Sequence, residues 1–313
     1  MPPSWLSTGL LRFRRPGPRV ERTLLLVAAA AMAVAAYFAV RDADVGWDQL
    51  RWMPLLLAAG LGVPLTLATN AAEFTLSARF VGRRFRAGAA IRTTLLATAA
   101  NLLPLPGGAL VRVHALVTAG VALRGASATT LLMGAGWIGT AASLAAGGAW
   151  MAGAYSYAIA ALGSVGALGL VAAGTLAWRL VGRTGHPVVR LGLVLAVETV
   201  SVLIGGARIW LVLVGLGVDA GFGVALLFAL AGVLANVVGL VPAGFGVREA
   251  LSAGLALLVA LPASVGFLVS LVDRVVGLLV AIPATVATSI LTTPGGDGGE
   301  GAQRRQRRGQ VES

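Results

Sequence analysis

Eight ionisable residues lie inside otherwise apolar stretches of the sequence: Arg112, Arg208, Arg248 and Arg274, with Glu73, Glu198, Glu249 and Asp273. Charge at membrane depth is expensive, so such groups face a cavity or pair with one another. Four cations against four anions suggests pairing between helices. Two of the arginines have similar surroundings. NLLPLPGGALVR (101–112) and NVVGLVPAGFGVR (236–248) share the order Asn, Pro, Gly, Gly, Arg. Asn101, Pro106, Gly107, Gly108 and Arg112 form the first set; Asn236, Pro242, Gly244, Gly246 and Arg248 form the second. Six residues separate Pro from Arg in both.

The chemistry of such a break is specific. A helix beginning after it offers free N–H groups and the positive end of its dipole, which suit an anion such as phosphate. Glycine allows close backbone approach, and arginine is a permanent, bidentate phosphate partner. Arg112, Arg248, Gly107, Gly108, Gly244, Gly246, Asn101 and Asn236 are therefore the candidate substrate-binding residues. A lone arginine of this kind more often snorkels or satisfies a helix end. Glycine patterns often serve packing alone. Two arginines in matched breaks shift the balance toward a polar site.

Glu249, Arg274, Asp273, Arg208, Glu198 and Glu73 form the expected supporting network. Glu198 and Arg208 are ten residues apart and cannot bond along one helix, and adjacent Asp273 and Arg274 point apart. One pairing scheme joins Glu249 to Arg274 or Arg208 and leaves Arg248 free for a ligand phosphate. Glu249 has an apolar counterpart, Val113, in the first segment. His114 follows Arg112 by two residues, about 200° around a helix, so it does not share the arginine's face. With no Cys and two His, no metal-ligand spacing is visible, and no cofactor is expected. There is neither a Ser–His–acid arrangement nor a Walker A motif, so any energy would come from a gradient or from downhill lipid flow.

These residues must be positioned by membrane helices. The chain has 313 residues, 58% of them hydrophobic and 12% charged, with mean hydropathy +0.88. Apolar runs of about 20 residues are the length a helix needs to cross a bilayer. The expected fold is an all-α polytopic membrane protein with six full spans and two broken, re-entrant hairpins near 93–123 and 222–260. The first span follows a basic arm, and the others lie near 53–77, 127–152, 156–178, 191–216 and 264–291. For the second broken region, a deep hairpin and two true spans both fit. Three segments result: a basic arm (1–21), one transmembrane domain (22–292) and a disordered Gly-rich tail (293–313).

All 24 basic residues are Arg. With the N-terminus inside, eighteen of them fall on the cytoplasmic side and only Arg41 and Arg51 outside. This places both termini in the cytoplasm of a cell-membrane protein. The membrane-depth charges cancel, so the net charge of +12 belongs to the flanks. That pattern suits anionic lipid head groups, and nucleic acid is not an expected partner. The hairpins then enter from opposite faces, as an inverted repeat would have them.

NLLPLPGGALVRVHAL (101–116) and NVVGLVPAGFGVREAL (236–251) resemble the two signature regions of the lysylphosphatidylglycerol synthase transmembrane, or flippase-like, domain. PAGFGVREA is similar to that family's PGGxGxRE element, and Asp273–Arg274 to a polar position in its next span. The likeness covers about 20–292. The family's first signature carries an acid after Gly where this chain has Ala109, before Arg112. The soluble aminoacyl-transferase domain of the synthases has no counterpart after residue 292. The resemblance thus implies a translocation module alone, moving an anionic phospholipid or a lipid-linked precursor between leaflets. Two other expectations compete: a membrane anchor or regulatory subunit, docking a lipid- or glycan-modifying enzyme at its basic loop 79–92, and an intramembrane transferase.

Overall fold

The computed structural model describes residues 34, 36–42, 50–101, 107–181, 186–238 and 246–291. Among these residues the regular elements are all helical, and no strand occurs. Helix α1 spans Trp52–Val81, with a π-helical turn at Ala58–Gly62 and a 3-10 end at Arg79–Val81. It is followed by α2 (Ala87–Ala100), α3 (Gly107–Thr118), α4 (Leu123–Met151) and α5 (Tyr157–Val181). Then come α6 (Pro187–Gly215), α7 (Phe222–Val238), α8 (Val247–Leu258) and α9 (Ala263–Leu291).

Five helices, α1, α4, α5, α6 and α9, are long and apolar enough to cross a membrane. They match the five spans expected after residue 50, with ends shifted by no more than four residues. The arm, most of the first expected span and the tail lie outside the described residues.

The broken regions form two pairs of short helices. Helices α2 and α3 have 14 and 12 residues, and α7 and α8 have 17 and 12. At 1.5 Å per residue each limb is between about 18 and 26 Å long, short of a hydrocarbon core about 30 Å thick. A helix that stops short inside a bilayer must be sheathed in protein, and α7 is well covered: Ala225, Leu227, Phe228, Leu230 and Ala231 are all at most 1% exposed. Helix α4 packs on α6 and α7, while α9 packs on α1 and α2, so each half of the chain covers the other's hairpin. Glycines allow the closest approaches. A Cβ on Gly223 of α7 would lie 2.2 Å from the Gly148 carbonyl oxygen of α4. Helix α5 lies outermost, packed mainly on α4 and showing Val165, Leu168 and Val171 outward, as a lipid-facing helix would.

The two halves match in detail after their breaks. Helices α3 and α8 both have 12 residues, α4 and α9 both 29, and all four starting and ending positions differ by 140. The four-residue connections also match. Gly120 and Ala260 both have positive φ (83° and 55°). The Gly120 N–H donates to the Val117 carbonyl as that of Ala260 does to Leu257, and Val121 N–H to Leu116 as Leu261 to Ala256. Before the breaks the spacing is shorter: α2 and α7 begin 135 residues apart. Of the five added residues, α7 takes three and the second break two.

Candidate functional site

Helices α1 and α6 run antiparallel, and their shared face is polar. Gly62, Thr66, Thr69, Asn70 and Glu73 recur at three- and four-residue spacing along α1, which puts them on one side of the helix. Facing them on α6 are Arg208, Ser201 and Glu198. In the middle, Thr69 Oγ1 lies 3.2 Å from Ser201 Oγ, and Ser201 donates to Asn70 Oδ1 at 3.2 Å. From Gly62 to Glu73 this seam is about 16 Å long.

At one end Arg208 forks onto Asp273 of α9, Nε donating to Oδ1 at 2.6 Å and Nη2 to Oδ2 at 2.9 Å. Its third nitrogen, Nη1, reaches Thr66 Oγ1 at 3.4 Å. The side chain passes over Gly62, where a Cβ would come 2.9 Å from Arg208 Cγ. Gly62 also ends the π-helical turn of α1. Such turns are frequent at functional sites. From α8, Arg248 Nη2 donates to the same Asp273 Oδ2. Its guanidinium lies against Gly232 of α7, where a Cβ would be 3.3 Å from Nε. One step along both helices, Arg274 Nε stands 3.0 Å from Glu249 Oε1 as an ion pair without hydrogen-bond alignment. Glu249 Oε2 accepts the Gly246 N–H at 3.0 Å, closing the start of α8, where Gly246 has φ +84°. Asp273 and Glu249 are fully buried.

At the other end Glu73 and Glu198 are buried, 2% and 0% exposed, with Arg112 of α3 in electrostatic reach of both. Glu198 lies on Gly136 of α4, where a Cβ would be 2.6 Å from its Oε2. Thr140 approaches it loosely, and neither Glu198 oxygen has a well-formed hydrogen bond among the described residues. Each hairpin thus delivers one arginine to an end of the seam, Arg112 within electrostatic reach of two carboxylates and Arg248 into a group of three arginines and two carboxylates.

The free-arginine scheme needs correcting. Glu249 does pair with Arg274, but Arg248 is engaged with Asp273, which it shares with Arg208. Asp273 and Arg274 point to different partners, as adjacency on a helix requires. The matched Pro-to-Arg spacing is not a matched helical register. Arg112 is the sixth residue of α3, whereas Arg248 is the second of α8. By helix position, Arg112 corresponds to Ser252 and Glu249 to Ala109. Pro106 directly precedes α3 in sequence, whereas four residues separate Pro242 from α8, and this offset produces the coincidence.

The first hairpin's small residues meet its own backbone. Asn101 Oδ1 accepts the Gly108 N–H at 2.8 Å, occupying one of the donors expected to be free at the start of α3. A Cβ on Gly107 would be 2.1 Å from the Ala100 carbonyl oxygen, and one on Gly108 2.6 Å from Asn101 Oδ1. Gly244, Pro104, Pro106, Pro242 and the side chain of Asn236 lie outside the described residues. His114 is exposed. Thr66, Thr69, Asn70, Ser201, Gly62, Gly136 and Gly232 did not stand out as site residues. Their signal was the recurrence of small polar residues at helical spacing through Glu73, weaker than a charge in an apolar run. No family model matches the sequence, and no match is found among curated proteins.

Proposed function

We propose that this chain is a lipid translocase whose substrate head group moves along the α1–α6 seam while its tails remain in the bilayer. The observation that carries this reading is the delivery of Arg112 and Arg248, from two separate hairpins, to opposite ends of one polar seam. A purely structural ion-pair cluster has no need of the neutral hydroxyls and amide between its ends. A moving anion does, because each successive site must hold it without trapping it. At the Arg248 end the three guanidinium groups exceed the carboxylates by one, so a phosphate adds to the network without displacing Asp273. The substrate class is an anionic phospholipid or a lipid-linked precursor.

The remaining parts of the reading follow the same geometry. The antiparallel α1 and α6, with the 140-residue match of α3–α4 to α8–α9, support an inverted repeat whose hairpins enter from opposite faces. With the expected sixth span before α1 both termini share one side, and the arginine-rich loops favour the cytoplasm of a cell-membrane protein for that side. The motif residues around Arg112 and Arg248 support kinship with the flippase-like domain.

The test is a leaflet-asymmetry assay in proteoliposomes, following fluorescent phosphatidylglycerol, an aminoacylated phospholipid and a polyprenyl phosphate. The wild type is expected to move at least one of them. Arg112→Ala and Arg248→Ala should each slow it at least tenfold, as should Thr69→Leu, which fills the middle of the seam without touching a charge. A wild type that moves none of the panel sinks the reading.

A further inference from the structure

We infer that the groove where α1 ends and α6 begins is a binding site for the head group of an anionic phospholipid. Arg79, Arg83, Arg84 and Arg190 surround this groove of about 350 Å³, with Leu76 and Leu193 as its apolar floor. No carboxylate lines it. The arginines are arranged rather than merely crowded. Gly82, at φ +71°, turns the chain back after α1 so that Arg83 and Arg84 return over the groove. Arg83 Nη2 donates to the Gly120 carbonyl at 2.9 Å, and Gly120 is itself left-handed, with φ +83°. A Cβ there would lie 2.7 Å from that nitrogen, so a larger residue would have to push the Arg83 end aside. Arg190 Nη1 donates to the Arg79 carbonyl at 3.0 Å and ties the first turn of α6 to the end of α1. Two guanidinium groups are thereby fixed. The guanidinium groups of Arg79 and Arg84 are exposed and form no hydrogen bond or ion pair with the described residues.

The floor identifies the ligand as amphiphilic. Leu76 precedes Arg79 by three residues and Leu193 follows Arg190 by three, so each leucine shares a helix face with its arginine, one turn closer to the bilayer. Leu193 is 50% exposed. Phosphate oxygens suit the four guanidinium groups, and the glycerol and first methylenes suit the leucines. A free phosphate would use only the upper half. The next pair inward along the same two helices is Glu73 and Glu198, so the groove is the outer mouth of the seam. That placement rests on the translocation reading; the binding does not.

Native mass spectrometry of the full chain, from micelles holding equal phosphatidylglycerol and phosphatidylcholine, tests this. The wild type is expected to retain the anionic lipid in clear excess. Arg79→Ala with Arg84→Ala should lower that excess about tenfold, whereas Arg86→Ala with Arg92→Ala, equally basic and exposed but outside the groove, should not. Leu193→Asn should weaken retention, and glycerol 3-phosphate, which lacks tails, should not compete. An equal loss in the Arg86/Arg92 variant would mean diffuse attraction and overturn the site. Effective competition by glycerol 3-phosphate would mean a bare anion site and overturn the lipid. Unchanged thermal unfolding of the Arg79/Arg84 variant excludes misfolding as the cause. The flip assay on the same proteins separates the two readings: retained lipid without movement leaves this site standing and removes the translocase.

Discussion

Asp273 serves two guanidinium groups from two different helices. Neutralising a buried carboxylate in this position leaves both cations uncompensated, a loss of about 3–5 kcal/mol for breaking a buried pair. Asp273→Asn should accordingly lower the unfolding temperature sharply in detergent, and adding Arg208→Gln should restore part of it. An additive double variant would argue against the shared carboxylate. Glu249 has two separable roles, since Oε1 faces Arg274 and Oε2 accepts the Gly246 N–H. Glu249→Gln keeps the cap and removes the charge; Glu249→Ala removes both. The difference in unfolding free energy between these variants should be about 1 kcal/mol, the worth of a helix cap. At this scale the sequence pointed to every charged member of the network, because a charge in an apolar run is conspicuous. It did not indicate that Arg248 joins Arg208 on one acid. That choice depends on how α6, α8 and α9 are rotated about their axes, and rotation is set by distant packing.

Several close approaches between helices depend on glycine at the contact rather than on glycine as a flexible link. Gly136 of α4 is the clearest case, because Glu198 rests directly on its Cα side. Gly136→Ala is expected to cost about 1–3 kcal/mol through overpacking, read as lowered thermal stability. Ala at the equally helical but uncrowded Gly134 should be neutral or slightly stabilising. The α8–α9 connection carries a local cost of its own. Ala260 adopts the left-handed conformation that Gly120 adopts in the equivalent connection. Ala260→Gly should therefore stabilise the protein by about 1 kcal/mol, and Gly120→Ala should do the reverse. The sequence foretold the broken hairpins from their prolines and glycines, and the long helices from their apolar runs. The four-residue offset between Pro242 and α8 was not legible, because equal Pro-to-Arg spacing concealed it until the start of α8 was fixed.

For the molecule as a whole, the 140-residue correspondence places Ala122 and Pro262 at equivalent points before α4 and α9. Both are exposed, and the chain contains no cysteine, so introduced thiols report without background. In intact cells, a membrane-impermeant maleimide should label Pro262→Cys readily and Ala122→Cys only after permeabilisation. Labelling of both from one side would rule out the inverted arrangement. The exchange of covering helices, α4 over the second hairpin and α9 over the first, was not visible in the sequence. Contacts between residues a hundred positions apart leave no local periodicity.

The seam between α1 and α6 has one further consequence. With α2 and α7 starting 135 residues apart, Glu73 on α1 and Arg208 on α6 hold equivalent places in the two halves. Two identical half-chains meeting about a two-fold axis would have to present the same side chain at both places. Such a pair would place acid at both ends of the seam or base at both ends. Fusion into one chain removes that constraint and lets the two ends differ in sign. The seam is thereby polarised, with an electrical direction that a symmetric dimer of either half would lack.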